Sequence, residues 1–231
     1  MNILALDTSM GACSAAVLRA DGGGTARVLH SREQMMERGH AEALMPMVAE
    51  IMQEAGLDFP ALDLIAATTG PGSFTGVRIA IAAARALALV TRAKLYGTDS
   101  LTVMARAAQT SGVTLRAPFA IAVDARRGML YLGLYDETGR KLEGPMLIAP
   151  DDAAEKLTPA FKVAVGSGAG PLAEAVAQRG TRIEAAMQDL QPGAGVLAEI
   201  AFEADETIPV LRPLYLRPPD AKPQAQAIAR R

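Results

Sequence analysis

Short apolar runs broken by turn residues open the chain. Ile3 to Leu6 stops at Asp7, Ser14 to Leu18 follows, and Asp21-Gly22-Gly23-Gly24 separates these from a third candidate strand, Val28 to Ser31. Runs of this length bounded by Asp and Gly predict an antiparallel meander at the start of a sheet. The period then changes. Met36, His40, Leu44, Met47, Val48, Ile51, Met52 and Ala55 recur at three- and four-residue steps, which is one face of a helix. Gly56 is its expected stop. Pro46 cannot donate to the Glu42 carbonyl, so a kink or a late helix start is expected.

Leu62 to Thr68 has the continuous apolar character of a buried strand and runs into Thr69-Gly70-Pro71-Gly72-Ser73. A long helix capped by Ser73 is expected from there to about Arg92. Lys94 to Tyr96 is a short strand ending at Gly97, and Asp99 or Ser100 caps a helix to about Gln109. After Ser111-Gly112 the pattern restarts. Ala120 to Val123 ends at Asp124, Arg126-Arg127-Gly128 makes a turn, Met129 to Tyr135 returns as a strand, and Asp136 to Gly139 turns again. Phe161 to Val165 is a strand leading through Gly166-Ser167-Gly168 into a helix from about Pro171 to Gln178, and a last helix fits Gly195 to Glu203. Strand, Asp, turn and strand thus occur twice, with Asp7 and Asp124 in matching places. The expected fold class is α/β, two similar halves with a cleft between them. The first spans 1–110 and carries the subunit interface; the second spans 111–208 and is reduced. The stretch 209–231, with Pro213, Pro218, Pro219 and Pro223, is expected to be an extended tail packing on the first half and fraying beyond Asp220.

Composition narrows the function classes. Half of the 231 residues are hydrophobic, enough for a sizeable core, and the small aromatic share (4%, no Trp) leaves Ala, Leu and Met to pack it closely. A formal charge of −2 is not the footprint of a stand-alone nucleic-acid binder. The single cysteine, Cys13, excludes an internal disulfide and a Cys-based metal cage, and reads as a small buried hydrophobe. Two histidines make neither an all-protein zinc site nor a Ser-His-Asp set. Asp7 interrupts the first apolar run, unlike a signal segment. The longest hydrophobic stretch, Val77 to Val90, contains Arg78 and Arg85 and falls short of a membrane span. A cytoplasmic protein with no membrane partner is expected.

Four motifs stand in a recognisable order: Leu6-Asp7-Thr8-Ser9, Gly70-Pro71-Gly72-Ser73-Phe74-Thr75-Gly76-Val77-Arg78, Asp124-Ala125-Arg126-Arg127-Gly128 and Leu214-Tyr215-Leu216-Arg217. In them the chain resembles the bacterial TsaB family along nearly its whole length. The Gly-Pro-Gly-Ser-Phe-Thr-Gly run is specific, whereas the Asp-Thr-Ser start is shared with many sugar and acetate kinases. The resemblance implies the duplicated fold of actin, Hsp70 and the sugar kinases, each half a mixed sheet with flanking helices. It also implies a non-catalytic subunit of the machinery that attaches threonylcarbamoyl to the adenosine beside the anticodon, in tRNAs reading codons that start with A. Its partners would be the catalytic paralogue TsaD, which it dimerises with and stabilises, and the ATPase TsaE. Alone it would form a homodimer, and it would meet tRNA only through the complex. ATP or ADP and a metal would belong to the partner subunits, and this chain would bind no cofactor.

Candidate residues emerge from both lines. Asp7, Thr8 and Ser9 at a strand-to-turn junction, with Asp124, Gly166 and Gly168, are the candidates the resemblance implies for a vestigial nucleotide site; the alternative is that Asp7 satisfies turn amides while Thr8 and Ser9 close the hairpin. The Gly70 loop lacks the Lys of a P-loop. In the helix after it, Ala80, Ala84 and Ala88 make a stripe of small residues, and the helix before it is rich in Met. Together they predict a self-complementary interface of His40, Leu44, Met47, Val48, Ile51, Phe74, Val77, Arg78, Ile81, Ala84 and Arg85. Where the catalytic paralogue carries His-x-x-x-His, this chain reads Ser100-Leu101-Thr102-Val103-Met104, poor ligands for a divalent metal. Arg126 and Arg127 are candidates for a tRNA-facing surface of the complex. The competing reading is an ATP-dependent kinase or ATPase using Asp7 and the Gly166–Gly168 loop. A peptidase would need a metal or nucleophile set that the sequence does not display.

Overall fold

The computed structural model describes residues 1–21, 24–111, 115, 117–204 and 206–217. Gly22 and Gly23 of the first turn, Gly112, and the tail from Pro218 on, including Asp220, lie outside the described residues.

The first half builds β1 (Asn2–Asp7), β2 (Ala12–Ala20), β3 (Ala26–Met35), α1 (His40–Glu54), β4 (Leu64–Thr68), α2 (Phe74–Thr91), β5 (Lys94–Thr98) and α3 (Ser100–Thr110). The second repeats the order with β6 (Phe119–Asp124), β7 (Leu130–Tyr135), β8 (Lys141–Ile148), α4 (Pro150–Lys156), β9 (Val163–Val165), α5 (Ala169–Gln178), β10 (Glu184–Ala186) and α6 (Ala194–Glu203). The sheets run β3-β2-β1-β4-β5 and β8-β7-β6-β9-β10, the same order position for position. In each, the first three strands are antiparallel neighbours and the later two join β1 or β6 in parallel. The second half therefore has a counterpart for each strand and helix named in the first. Its β8, α4 and β10 escape a pattern search because they are short or, in β8, half solvent-facing and interrupted by Pro145.

β1 and β4 read as unbroken apolar runs because both faces of the sheet are covered. Leu4, Leu6, Ala15, Val17, Ile65 and Ala67 meet α1 and α2; the alternate residues Ile3, Ala5, Ala16, Leu18, Leu64 and Ala66 meet α6 and Val103 of α3. With the halves bounded at 110 and 208, the last helix of each packs on the other half's sheet. α6 buries Ala194, Leu197, Ala198 and Ala201 on the first sheet, and α3 buries Leu101, Met104, Ala105 and Ala108 on the second. Asp99 caps α3 by accepting the Thr102 N–H at 2.9 Å, and its carboxylate also pairs with Lys141 of β8. The ion pair fastens the capped end of α3 to the second half.

Pro46 does not delay α1, which starts at His40 and continues unbroken through it. The ring sits on the exposed side, where the carbonyl left without a donor can be hydrated. Met36 precedes the helix instead of joining it, and Gly56 comes after the C-cap Ala55 in the left-handed region at φ 60°. Cys13 is buried in β2 and its thiol is pushed up to about 11, first by burial and then by the nearby Asp7.

Leu197 tests the exchange of helices. It is fully buried against the first sheet, so Leu197→Ala is expected to cost about 2–5 kcal/mol. Denaturant unfolding measures this, with faster amide exchange expected in β1 and β2; a loss confined to the second sheet contradicts the packing.

Candidate functional site

Asp7, the last residue of β1, is completely buried with Thr8 and Ser9. Its carboxylate accepts the Ser9 N–H at 3.2 Å, the Ser9 hydroxyl at 2.7 Å and the Thr68 hydroxyl. Ser100, at the start of α3, donates to the Ser9 Oγ at 3.0 Å. The Thr8 hydroxyl turns the other way, donating to the Gly76 carbonyl at 2.7 Å and accepting the Ala80 N–H at 3.1 Å. The Ser73 N–H closes over the Ser9 carbonyl at 2.7 Å, and the Ser73 hydroxyl accepts the Gly76 N–H at 3.3 Å as the N-cap of α2.

A Cβ on Gly72 would overlap the Ser9 carbonyl, and one on Gly76 the Thr8 carbonyl. The glycines of the Gly-Pro-Gly-Ser-Phe-Thr-Gly run are thus set by the Asp-Thr-Ser turn lying directly on them. Burial pushes the Asp7 carboxyl up to about 6, against the opposing effect of its hydrogen bonds.

The second half treats its matching carboxylate differently. Asp124 is exposed at the end of β6, where its Oδ1 accepts the Arg126 N–H at 2.7 Å and its own N–H donates to the Ser167 hydroxyl at 3.1 Å. Gly166 and Gly168, either side of Ser167, lie against the Ala122 and Val123 backbone, with Gly166 at φ 104°. In the turn after Asp124, Arg126, Arg127 and Gly128 stand in succession in the left-handed region, at φ 64°, 55° and 71°. For each Arg this costs roughly 1–2 kcal/mol. The turn is held by Ala125 N–H to the Met129 carbonyl at 2.9 Å and Met129 N–H to the Arg126 carbonyl at 3.2 Å.

Between the halves lies a cleft of about 980 Å³, lined among others by Ser9, His40, Asp124, Arg126, Ser167 and Arg217. Of the expected nucleotide-site residues, Asp124 and Ser9 reach this cleft, and the Ser9 hydroxyl is turned onto Asp7. Asp7 and Thr8 are sealed beneath the Gly72 loop, and Gly166 and Gly168 serve as backing for Ser167. The carboxylate of the expected nucleotide site's first half is thus committed inside the protein and does not reach the cleft. Among the described residues no group of three or more His, Cys, Asp or Glu is placed to hold a metal ion.

The expected interface needs correction. Leu44, Met47, Val48, Ile51, Val77, Ile81 and Ala84 are all buried in the chain's own core, where α1 and α2 cover the first sheet. A helix apolar on two sides does not reveal in its sequence which side the sheet takes. Phe74, Arg78 and Arg85 do face outward. Beside them sequence reasoning missed the exposed ridge of α2, Ala82, Ala86, Leu89 and Val90, with the last two 84% and 82% exposed. Met45 and Ala49 of α1 are exposed as well. The signal was present as a second small-residue stripe, offset by two from Ala80, Ala84 and Ala88. The helix has the expected extent, Phe74–Thr91; its 18 residues, unlike the shorter Val77 to Val90 stretch, are long and apolar enough by composition to cross a membrane, yet one face is committed to the sheet. His40 begins α1 at the cleft edge, and its Nε2 is buried without a hydrogen-bond partner among the described residues. Tyr215 was also missed as a contact. Its hydroxyl accepts from the Arg78 Nε at 2.5 Å, its ring lies 5.1 Å from that of Phe74, and the Arg78 guanidinium sits 3.7 Å above the Phe74 ring.

Comparisons with known proteins agree with this geometry. A family model described as TsaD, tRNA N6-adenosine threonylcarbamoyltransferase, matches residues 27–218. A tRNA threonylcarbamoyladenosine biosynthesis protein TsaB from Buchnera aphidicola is 30% identical over 173 residues, covering 72% of this chain and 78% of the relative. The TsaB of Haemophilus influenzae is 29% identical over 237 residues, covering 94% of each. A solved Pseudomonas aeruginosa structure, described as an uncharacterized protein with similarity to peptidase YeaZ, superposes with a TM-score of 0.79 at 32% identity, over 94% of this chain and 99% of that one.

The buried and exposed groups generate two expectations. The folded state favours protonated Asp7, so this carboxyl's contribution to stability is fully present below its ordinary value of 3.8 and is lost as the pH rises through about 6. Between about pH 5 and pH 7.5 the loss amounts to about 1 kcal/mol. Asp7→Asn should remove that part of the pH slope in denaturant titrations; equal slopes in both proteins contradict it. Ala84→Arg would force a cation into the core at a cost of roughly 3 kcal/mol or more, whereas Ala86→Arg should change stability by no more than about 0.5 kcal/mol. Thermal unfolding of the two variants separates the inner stripe from the outer.

Proposed function

This chain belongs to the TsaB family, and from that premise we propose that it is a docking subunit, not a catalyst, in the formation of threonylcarbamoyladenosine on tRNA. The observation that carries the reading is the exposed ridge of α2, Ala82, Ala86, Leu89 and Val90, with Met45 and Ala49 of α1 exposed as well. Small residues let a second helix approach closely, and contiguous exposed apolar surface of this kind marks a protein contact. The sealed Asp7 knot supports it from the other side, since the first half's candidate phosphate loop is consumed by internal hydrogen bonds.

The partner that fits is TsaD. Residues 27–218 match that transferase's family model, so the partner would present helices of the same construction to this ridge. Without TsaD, a second copy of this chain would take the same ridge and form a homodimer. The reaction would occur on TsaD, with its nucleotide and metal there, and TsaE would join as a further partner. The tRNA would be met through the assembled complex.

The test is co-purification with TsaD followed by threonylcarbamoyl transfer with and without this chain. Transfer should depend on both proteins, and this chain alone should turn over negligible ATP. Ala86→Arg combined with Leu89→Asp should reduce association at least about tenfold in sedimentation while each chain stays folded. Transfer by this chain alone, or undiminished association of the double variant, overturns the reading.

A further inference from the structure

After α6 the chain stays on the first half and then leaves it. The Ile208 N–H donates to the Leu95 carbonyl at 2.9 Å, on the outer edge of β5. Leu211 is fully buried in the core beneath α2, against Gly97. The Leu214 N–H donates to the Thr69 carbonyl at 2.7 Å. Tyr215 then joins Phe74 and Arg78 on the first turns of α2. Two residues later the Arg217 guanidinium reaches the other half, donating to the carbonyls of Ala125 at 3.0 Å and Arg126 at 3.4 Å.

We propose that residues 208–217 are a strap between the halves, that Arg217 is its buckle, and that the strap couples a partner on α2 to the mouth of the cleft. Both receiving carbonyls belong to the left-handed turn after Asp124, and a cation donating to two of them holds that turn in its strained form. Arg126 and Arg217 both line the cleft, so the turn and the buckle set its width together. Tyr215 is 42% exposed and Phe74 36%, at the end of the ridge assigned above to TsaD. A partner that covers them orders the strap, and ordering the strap fixes Arg217 on the turn. The coupling is reciprocal: what holds the turn also favours docking. This part rests on the docking reading; the buckle itself does not.

Hydrogen–deuterium exchange on the full chain, alone and with TsaD, tests both. The Ala125 and Met129 amides are the reporters, since they close the turn onto the Met129 and Arg126 carbonyls. In the chain alone, Arg217→Ala should speed their exchange about tenfold while β1 amides stay unchanged. Arg217→Lys, which keeps the charge but not the two-pronged geometry, should fall between, and it decides the matter if Arg217→Ala does not fold. Turn amides that exchange at the wild-type rate in both variants overturn the buckle. With TsaD, the turn should slow further in the wild type and not in Arg217→Ala. Equal slowing in both proteins, or none in a wild-type complex that has formed, overturns the coupling. If TsaD does not bind the wild type, the docking reading falls and the coupling with it, while the buckle is still decided by the first arm.

Discussion

Two backbone carbonyls, those of Thr8 and Ser9, lie so close to Gly76 and Gly72 that no side chain fits between. Most of the molecule's distinguishing features depend on that contact. It brings the end of β1 against the start of α2, commits the hydroxyls of Thr8 and Ser9 to internal bonds, and leaves Asp7 buried with no counter-cation among the described residues. A carboxylate kept away from water destabilises its ionised form, and hydroxyl and amide donors recover only part of the difference. The fold tolerates this because the same contact fixes the direction of α2, whose outer side is then free to meet another molecule.

The duplication makes the contrast informative. Asp7 and Asp124 end equivalent strands in sheets of identical order, yet one is sealed and the other solvent-exposed. The difference lies in the loop that leaves the next parallel strand. After β4 the chain delivers two glycines onto the turn. After β9 it delivers Ser167, whose hydroxyl accepts the Asp124 N–H and leaves the carboxylate in the open. The first half has become a scaffold for α2, and the second keeps an accessible groove bordered by arginines.

Much of this was legible in the residues. Strands ending at Asp7 and Asp124, the Ser73 and Asp99 caps, and the Arg126-Arg127-Gly128 turn can all be read from period and turn chemistry, because each is decided within a few residues. The features that escaped depend on distant partners. Periodicity found the apolar face of α1 and one stripe of α2, but Leu44, Val77 and Ala84 proved to be the inward side. The outward stripe of Ala82, Ala86 and Leu89 looks the same in sequence, since alanine is equally at home against a sheet or at an unfilled contact. β8 and β10 were missed for a related reason: edge strands with one wet face carry little apolar signal. The contacts of Tyr215 and Arg217 join residues far apart in the chain, which no local pattern encodes.

The crossing of α3 and α6 has an evolutionary corollary. Each lobe is roofed by a helix drawn from the other's stretch of polypeptide, so severing the gene between them would yield two products with bare apolar sheets. Two sheets of the same strand order are thereby tied into one unit, and neither could be removed without baring the other. The loops after β4 and β9, by contrast, lie outside the interlocked roof and are where the two lobes differ.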